Sequence, residues 1–232
     1  MSGNRVGGDL LDNVAWAALS GPLAGLARRH GQAGVFDSDV SPFGAVAPGA
    51  GAQGWADFAE LLGPGGSALL TGDFEVPDGW TVRFGLDGVQ LVDVAGVVDQ
   101  EEPEAVLLGA ADVPEMLDLV ARTKPGPFGP RTVEMGTYLG IRRDGVLVAM
   151  AGERLRLPGY TEISAVCTDP AARGQGLAGR LVRAVGAVVH ARGDTPFLHA
   201  AVTNTNAIRL YQALGFERRR QTPFAVVEVP QP

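Results

Sequence analysis

Residues 105–229 switch repeatedly between two hydrophobic periods, and a chain that switches in this way has few folds open to it. AVLLG (105–109), the pair hinged at Asp144-Gly145 within 137–157, TEISAVCT (161–168), PFLHAAV (196–202) and PFAVVEV (223–229) read as strands. VPEMLDLVARTK (113–124), GLAGRLVRAVGAVVHARG (176–193) and NAIRLYQAL (206–214) carry apolar residues at helical spacing. Asp112 is placed to cap the first of these, Pro114 suits its first turn, and Gly215 closes the last. Interleaved strands and helices imply an α/β (α+β) fold, a mixed twisted sheet with helices on both faces.

The first hundred residues carry a weaker pattern. Asp12 can cap NVAWAALS (13–20), and Pro22 suits the start of a second helix, LAGLARRHG (23–31), with His30 near its C-terminus. Trp55, Phe58, Leu61 and Leu62 recur at helical spacing before the breaker Gly63-Pro64-Gly65-Gly66. SALLTG (67–72), WTVRFGL (80–86) and VQLVDV (89–94) read as strands, the last two joined by Asp87-Gly88 as a hairpin turn. The acidic run VDQEEPE (98–104) reads as a linker. Two units are therefore expected: a smaller α/β domain over 1–100 and a larger domain over 101–232.

Charge follows the same division. Residues 1–102 hold four arginines against fourteen acidic residues, and 103–232 hold fifteen basic against twelve acidic. The first half is a poor surface for nucleic acid or an anionic membrane, whereas the second can receive a compact anion. Cys167 is the only cysteine, so an intramolecular disulfide and a cysteine-rich zinc site are both excluded. No run of about eighteen apolar residues and no leader-like opening occurs, so a soluble cytoplasmic protein without a metal is expected.

The stretch TEISAVCTDPAARGQGLAGRLV (161–182) runs from strand, through Asp169-Pro170, into a helix whose first turn is preceded by Gly174 and Gly176. A helix N-terminus offers up to four amides without an intrahelical acceptor and about half a positive charge. Glycines let a phosphate approach those amides without meeting a Cβ. No Gly-Lys-Ser/Thr follows, so a Walker loop is excluded, and the spacing does not suit a dinucleotide fingerprint.

Arg173-x-x-Gly176-x-Ala178 resembles the R/Q-x-x-G-x-G/A signature of the GNAT superfamily, which transfers acyl groups from coenzyme A to amines. Asn204-x-x-Ala207-x-x-Leu210-Tyr211-x-x-x-Gly215-Phe216 resembles its second signature. The resemblance covers roughly 105–229. GTYLGIRRDGVLVAMAGERL and TEISAVCTDP look like the branch related to glycine N-acyltransferases.

The resemblance implies acetyl-CoA or another acyl-CoA as co-substrate, with the pyrophosphate on the amides of Arg173, Gly174, Gln175, Gly176, Leu177 and Ala178. It implies that the backbone of Val166, Cys167 and Thr168 pairs with the pantetheine arm, an amide near Val166 polarising the thioester carbonyl. Asn204 and Ala207 would approach the arm from the other side. Arg209 would meet the 3′-phosphate or remain a solvated helix arginine, and Tyr211 would be the general acid.

Glu162 is either the general base or a paired carboxylate that shapes the site, with Glu134 and His199 as further candidates for the base. Regular alternation would put Cys167 on the strand face opposite Glu162, which disfavours a cysteine nucleophile and favours direct attack by the amine. A bulge in that strand, which the resemblance implies is common, would upset this facing. The acceptor is then a small-molecule or peptide amine. A binding-only acyl-CoA sensor is the rival reading. The first half would wall the acceptor side of the cleft or serve dimerisation.

Overall fold

A computed structural model describes residues 10–96 and 99–231. A small antiparallel sheet of β1 (Ala27–His30), β2 (Ala33–Phe36) and β3 (Gly44–Val46) comes first in the chain. The main sheet is built from β4 (Ser67–Thr71), β5 (Thr81–Val92), β6 (Val106–Leu108), β7 (Tyr138–Arg143), β8 (Val146–Leu157), β9 (Tyr160–Thr168), β10 (Thr195–Ala201) and β11 (Glu217–Glu228). These eight strands lie in the order β4-β11-β5-β10-β9-β8-β7-β6. The β9–β10 pair is parallel and the other neighbours are antiparallel.

Helices cover both faces, as the alternating pattern implies. On one face α4 (Leu177–Ala191) and α5 (Thr205–Ala213) enclose Val89, Leu91, Ile163 and Leu198, with Leu177, Leu181, Val185 and Val189 forming the buried stripe of α4. On the other, α3 (Val113–Thr123) buries Met116 and Leu119 against Met150, Cys167 and Tyr138. Here too α1 (Val14–Leu19) packs on Leu155, Leu157 and Phe197. Phe58 of α2 (Gly51–Leu62) joins Ala68, Leu70, Ala225 and Val227, which alternate along β4 and β11 with Leu69, Phe224 and Val226 of the α1 side and so lie on the opposite face.

Several expectations for the first half are corrected. Residues 80–94 form no hairpin: β5 runs unbroken through Asp87-Gly88. It pairs with β11 from Thr81 to Val92, and β10 flanks it from Gly88 to Val92. A segment paired on both edges cannot turn, and glycine serves a close approach instead. A Cβ on Gly88 would come within 2.6 Å of the Phe224 ring.

Segment 23–31 is a 3₁₀ turn, Ala24–Leu26, followed by β1, because Ala27 to His30 pair in register with Phe36 to Ala33. His30 therefore sits on a strand, with Nε2 3.0 Å from Glu60. Asn13 caps α1 by accepting from the Trp16 amide at 3.1 Å, while Asp12 binds Arg219 and Arg220 at 2.7 and 2.9 Å. Asp112 precedes α3 without capping it, because its carboxylate accepts from the Gly109 amide and from Arg142.

Within the expected linker Val98 lies outside the described residues. Glu102 is clasped by both arms of Arg180 on α4, at 2.6 and 2.7 Å, and Glu104 joins the cluster. The expected boundary at residue 100 falls between β5 and β6, and it separates strands of one continuous sheet. Strand β5, from the first half, lies between β10 and β11 from the second.

Candidate active site

Parallel pairing of β9 with β10 extends only from Tyr160 to Glu162 and from Thr195 to Phe197. Beyond it the strands part, and a cleft of about 750 Å³ opens between them. Its wall includes Val166, Cys167 and Thr168 of β9, Arg173, Gly174, Gly176, Leu177 and Ala178 of the turn, and Asn204, Ala207 and Tyr211 of the α5 segment. Two stretches far apart in sequence thus meet around one space. Gln175 and Arg209 are exposed and lie outside this wall.

Opposite the edge of β9, Met150 pairs with Cys167 and Gly152 with Ser164, so one residue of β8 faces two of β9. Ala165 takes up this bulge with φ 52°. The extra residue inverts the expected facing. Cys167 packs under α3 with Met116 and Leu119, on the side that Ser164 and Glu162 share, while Val166 turns to Ile163 and the α4 side.

Burial nonetheless makes Cys167 a poor nucleophile. It pushes the thiol up to about 11, against the lowering by Thr123 and the Met150 backbone. Cys167→Ala is accordingly expected to retain activity. Iodoacetamide labelling of the native protein at neutral pH, read by mass spectrometry, is expected to be slow. Rapid labelling would contradict the burial argument.

The start of α4 has the geometry that the glycine spacing implies. Gly174 and Gly176 have φ 81° and 72°, where glycine is favoured. No side chain caps the helix, and its first internal bond runs from the Arg180 amide to the Gly176 carbonyl. The amides of Leu177, Ala178 and Gly179 are therefore not used inside the helix. Nearby, the Thr168 hydroxyl is buried with no hydrogen-bond partner among the described residues. Asn204 uses its side-chain oxygen to cap α5, accepting from the Ala207 amide at 3.2 Å, and keeps its NH₂ for the cleft. Tyr211 is 7% exposed, and burial, helped by neighbouring Cys167, pushes its phenol up to about 12.

Glu162 lies behind this wall with its carboxylate committed. Arg154 binds it twice, at 2.8 and 2.6 Å, and His199 Nδ1 lies 2.8 Å away. Burial alone would raise its pKa, but the Arg154 charge and hydrogen bonds, with His199, outweigh burial and hold it down at about 2. On the far side of the imidazole, Gln90 Nε2 lies 3.2 Å from His199 Nε2. The Gln90 amide is oriented by donation to the Leu11 carbonyl and acceptance from Arg219. Its remaining N–H thus points at His199 Nε2, leaving Nδ1–H to donate to Glu162. Glu134 sits apart on a 3₁₀ turn, held by Arg131 at 2.8 and 2.7 Å.

A depressed carboxylate contributes stability that is fully present above its unfolded pKa and is lost as pH falls through the folded one. Wild-type stability is therefore expected to drop between about pH 4.5 and pH 2 as Glu162 protonates. Glu162→Gln is expected to be less stable at pH 7, because Arg154 remains buried, and to lack that component of acid loss. Urea melts across this window check it, and parallel pH curves for the two proteins would refute it.

Arg154 and Gln90 escaped the sequence reading. The signal available for Arg154 was the charged group Glu153, Arg154 and Arg156 closing an otherwise apolar strand, VLVAMAGERLRL. Nothing local marked Gln90. Among the described residues no cluster of three or more His, Cys, Asp or Glu is arranged to hold a metal, and no helix is long and apolar enough to cross a membrane.

The FR47-like protein family matches residues 138–225, the stretch that holds both halves of the cleft. Across almost the whole chain the structure resembles that of a GNAT-family protein from Novosphingobium aromaticivorans. The two share 39% identity and a TM-score of 0.87, over 97% of this chain and 99% of that one. This chain belongs to the GNAT family of acetyltransferases. N-alpha-acetyltransferase RimI of Mycobacterium tuberculosis is 38% identical over 84 residues, 35% of this chain and 52% of that protein. Mycothiol acetyltransferase of Thermomonospora curvata is 33% identical over 149 residues, 62% of this chain and 46% of that protein. The chain thus spans about half the length of the curated relatives it matches.

Proposed function

We propose that this GNAT-family chain is an acetyl-CoA-dependent N-acetyltransferase that acts on a primary amine by direct attack. The observation that carries the reading is the parting of β9 from β10, which lines one cleft with Val166–Thr168, the 173–178 turn, Asn204 and Tyr211. These residues fit coenzyme A. Uncapped amides in a left-handed glycine turn suit its diphosphate, and the Thr168 hydroxyl and the Asn204 NH₂ suit its amide-bearing arm. When bound, acetyl-CoA supplies the thioester that the amine attacks.

The chain's own residues then have separable tasks. Beyond Glu162 the edge of β9 that faced β10 has no strand partner among the described residues, which leaves the backbone of Val166–Thr168 to pair with the arm as an added strand. The Val166 amide polarises the thioester carbonyl. Tyr211, whose raised pKa keeps it protonated, gives its proton to the departing thiolate.

Glu162 is the paired carboxylate, not the base: with both oxygens engaged by Arg154 and His199 it orients the floor of the cleft. The amine proton leaves through water. The acceptor belongs to the primary amines, the class that includes protein N-termini and small aminothiol conjugates. The narrower affinity with glycine N-acyltransferase-like proteins rests on the strands over 136–170.

Release of free thiol from acetyl-CoA with a panel of small and peptide amines tests the reading. Wild type is expected to accelerate release with at least one amine, whereas a binding-only sensor would bind and never turn over. Gly176→Val is expected to raise the Kd for coenzyme A about tenfold or more. A Cβ-branched residue at φ 72° strains the turn and displaces its amides. Calorimetry that finds unaltered affinity in this variant removes the diphosphate site.

A further inference from the structure

The protein has nineteen basic residues, and one of them, Lys124, is a lysine. It stands on the wall of the cleft, at the C-terminal end of α3, in the loop Thr123-Lys124-Pro125-Gly126. Its backbone is left-handed, with φ 50°, a conformation that a lysine seldom adopts. The following Pro125 disfavours the right-handed helical alternative and so helps to hold the turn.

Contacts on either side fix where this loop sits. Arg122 donates to Asp169 at 2.9 Å, and Thr123 lies against Cys167. Asp169 in turn opens the short turn that leads to Arg173, whose Nε is 3.4 Å from the Thr168 carbonyl. Lys124 therefore stands beside the C-terminal end of β9, on the wall of the same cleft as the glycine turn.

Its charge is uncommitted. Most arginines here are spent on carboxylates, as Arg122, Arg131, Arg142, Arg154, Arg180 and Arg192 show. Lys124 and Arg173 form no ion pair among the described residues, and both face the same cleft. A compact ammonium on a flexible stem suits a phosphate as a point charge and needs no fixed fork geometry.

We propose that Lys124 is a phosphate-binding residue for coenzyme A, its Nζ meeting the diphosphate from the α3 side while the α4 amides meet it from the other. This rests on the coenzyme A reading above and adds a contact from outside both signatures. It makes the cofactor site a clamp between two helix ends, with Arg173 as a second cation on the same wall.

A single lysine is also its own probe. Reductive methylation with formaldehyde and cyanoborohydride, followed by peptide mapping, reports the reactivity of Lys124 separately from the chain's α-amine. Saturating coenzyme A is expected to protect Lys124, and 3′-dephospho-coenzyme A to protect it equally. In calorimetry Lys124→Met is expected to weaken coenzyme A binding about tenfold, with a shallower salt dependence, and Lys124→Arg to keep most of the affinity.

If wild type binds coenzyme A while methylation of Lys124 proceeds unhindered and Lys124→Met binds equally well, the contact is refuted and the coenzyme A reading stands. Protection by coenzyme A but not by the dephospho form refutes the diphosphate assignment. Absence of any binding by wild type refutes both the reading and the contact.

Discussion

Residues 101–232 expressed alone are expected to yield no cooperatively folding protein, although that piece holds both GNAT signatures. The reason is strand order. Strand β11 lies between β4 and β5, both contributed by the first hundred residues, so the truncated chain leaves β11 with no neighbour at all. Strand β10 loses its antiparallel partner from Phe197 to Ala201 and becomes an open edge.

The cores open as well. Val89 and Leu91 are fully buried beneath α4 and α5, and Phe197 packs among α1, Phe36, Phe43 and Val92. Removing partners from so many buried side chains exceeds the marginal stability of a domain, about 5–15 kcal/mol. Circular dichroism and thermal melts of the 101–232 fragment check this, and a sharp melt from a soluble monomer would falsify it. Supplying residues 1–100 as a separate chain is expected to restore solubility to some extent, since the missing contacts are non-covalent.

That result would also explain what the sequence allows to be read. The 173–178 turn and the α5 segment were legible because their requirements are local: glycine at positive φ, and a polar cap before an apolar helical stripe. Asn204 capping α5 and Gly176 opening α4 occupy the places their spacing implies. The β5 continuity was not legible, because Asp87-Gly88 carries a real turn preference that two flanking strands override.

One of those strands, β11, arrives only at the end of the chain. A bulge in β9 follows from the resemblance, but its place at Ala165 was not legible, since it is defined by the residue count on β8. With it went the facing of Cys167. The buried Arg154–Glu162–His199 set joins three strands, and no window of sequence contains it.

Tyr211→Phe is expected to lower kcat by about 10²–10⁴-fold, the range for loss of a placed general acid, while leaving the Kd for coenzyme A and the melting temperature near wild type. The substitution removes one hydroxyl. The ring keeps its packing on Phe216, with centroids 6.2 Å apart, and its place in the core under α4. Among the described residues no hydrogen bond uses that oxygen, so stability has little to lose.

The direction of the pH dependence separates an acid from a packing residue. Burial raises the phenol to about 12, so wild type keeps the proton on Tyr211 throughout the alkaline range in which an acceptor amine becomes neutral. Its rate is expected to climb with pH and then level off, with no fall near pH 10, where an unburied tyrosine would ionise. In the variant, departure of the thiolate must draw its proton from water. The penalty is therefore expected to shrink for acyl donors whose thiols are more acidic. An equal penalty for every leaving group would assign Tyr211 to packing and move the acid elsewhere in the cleft.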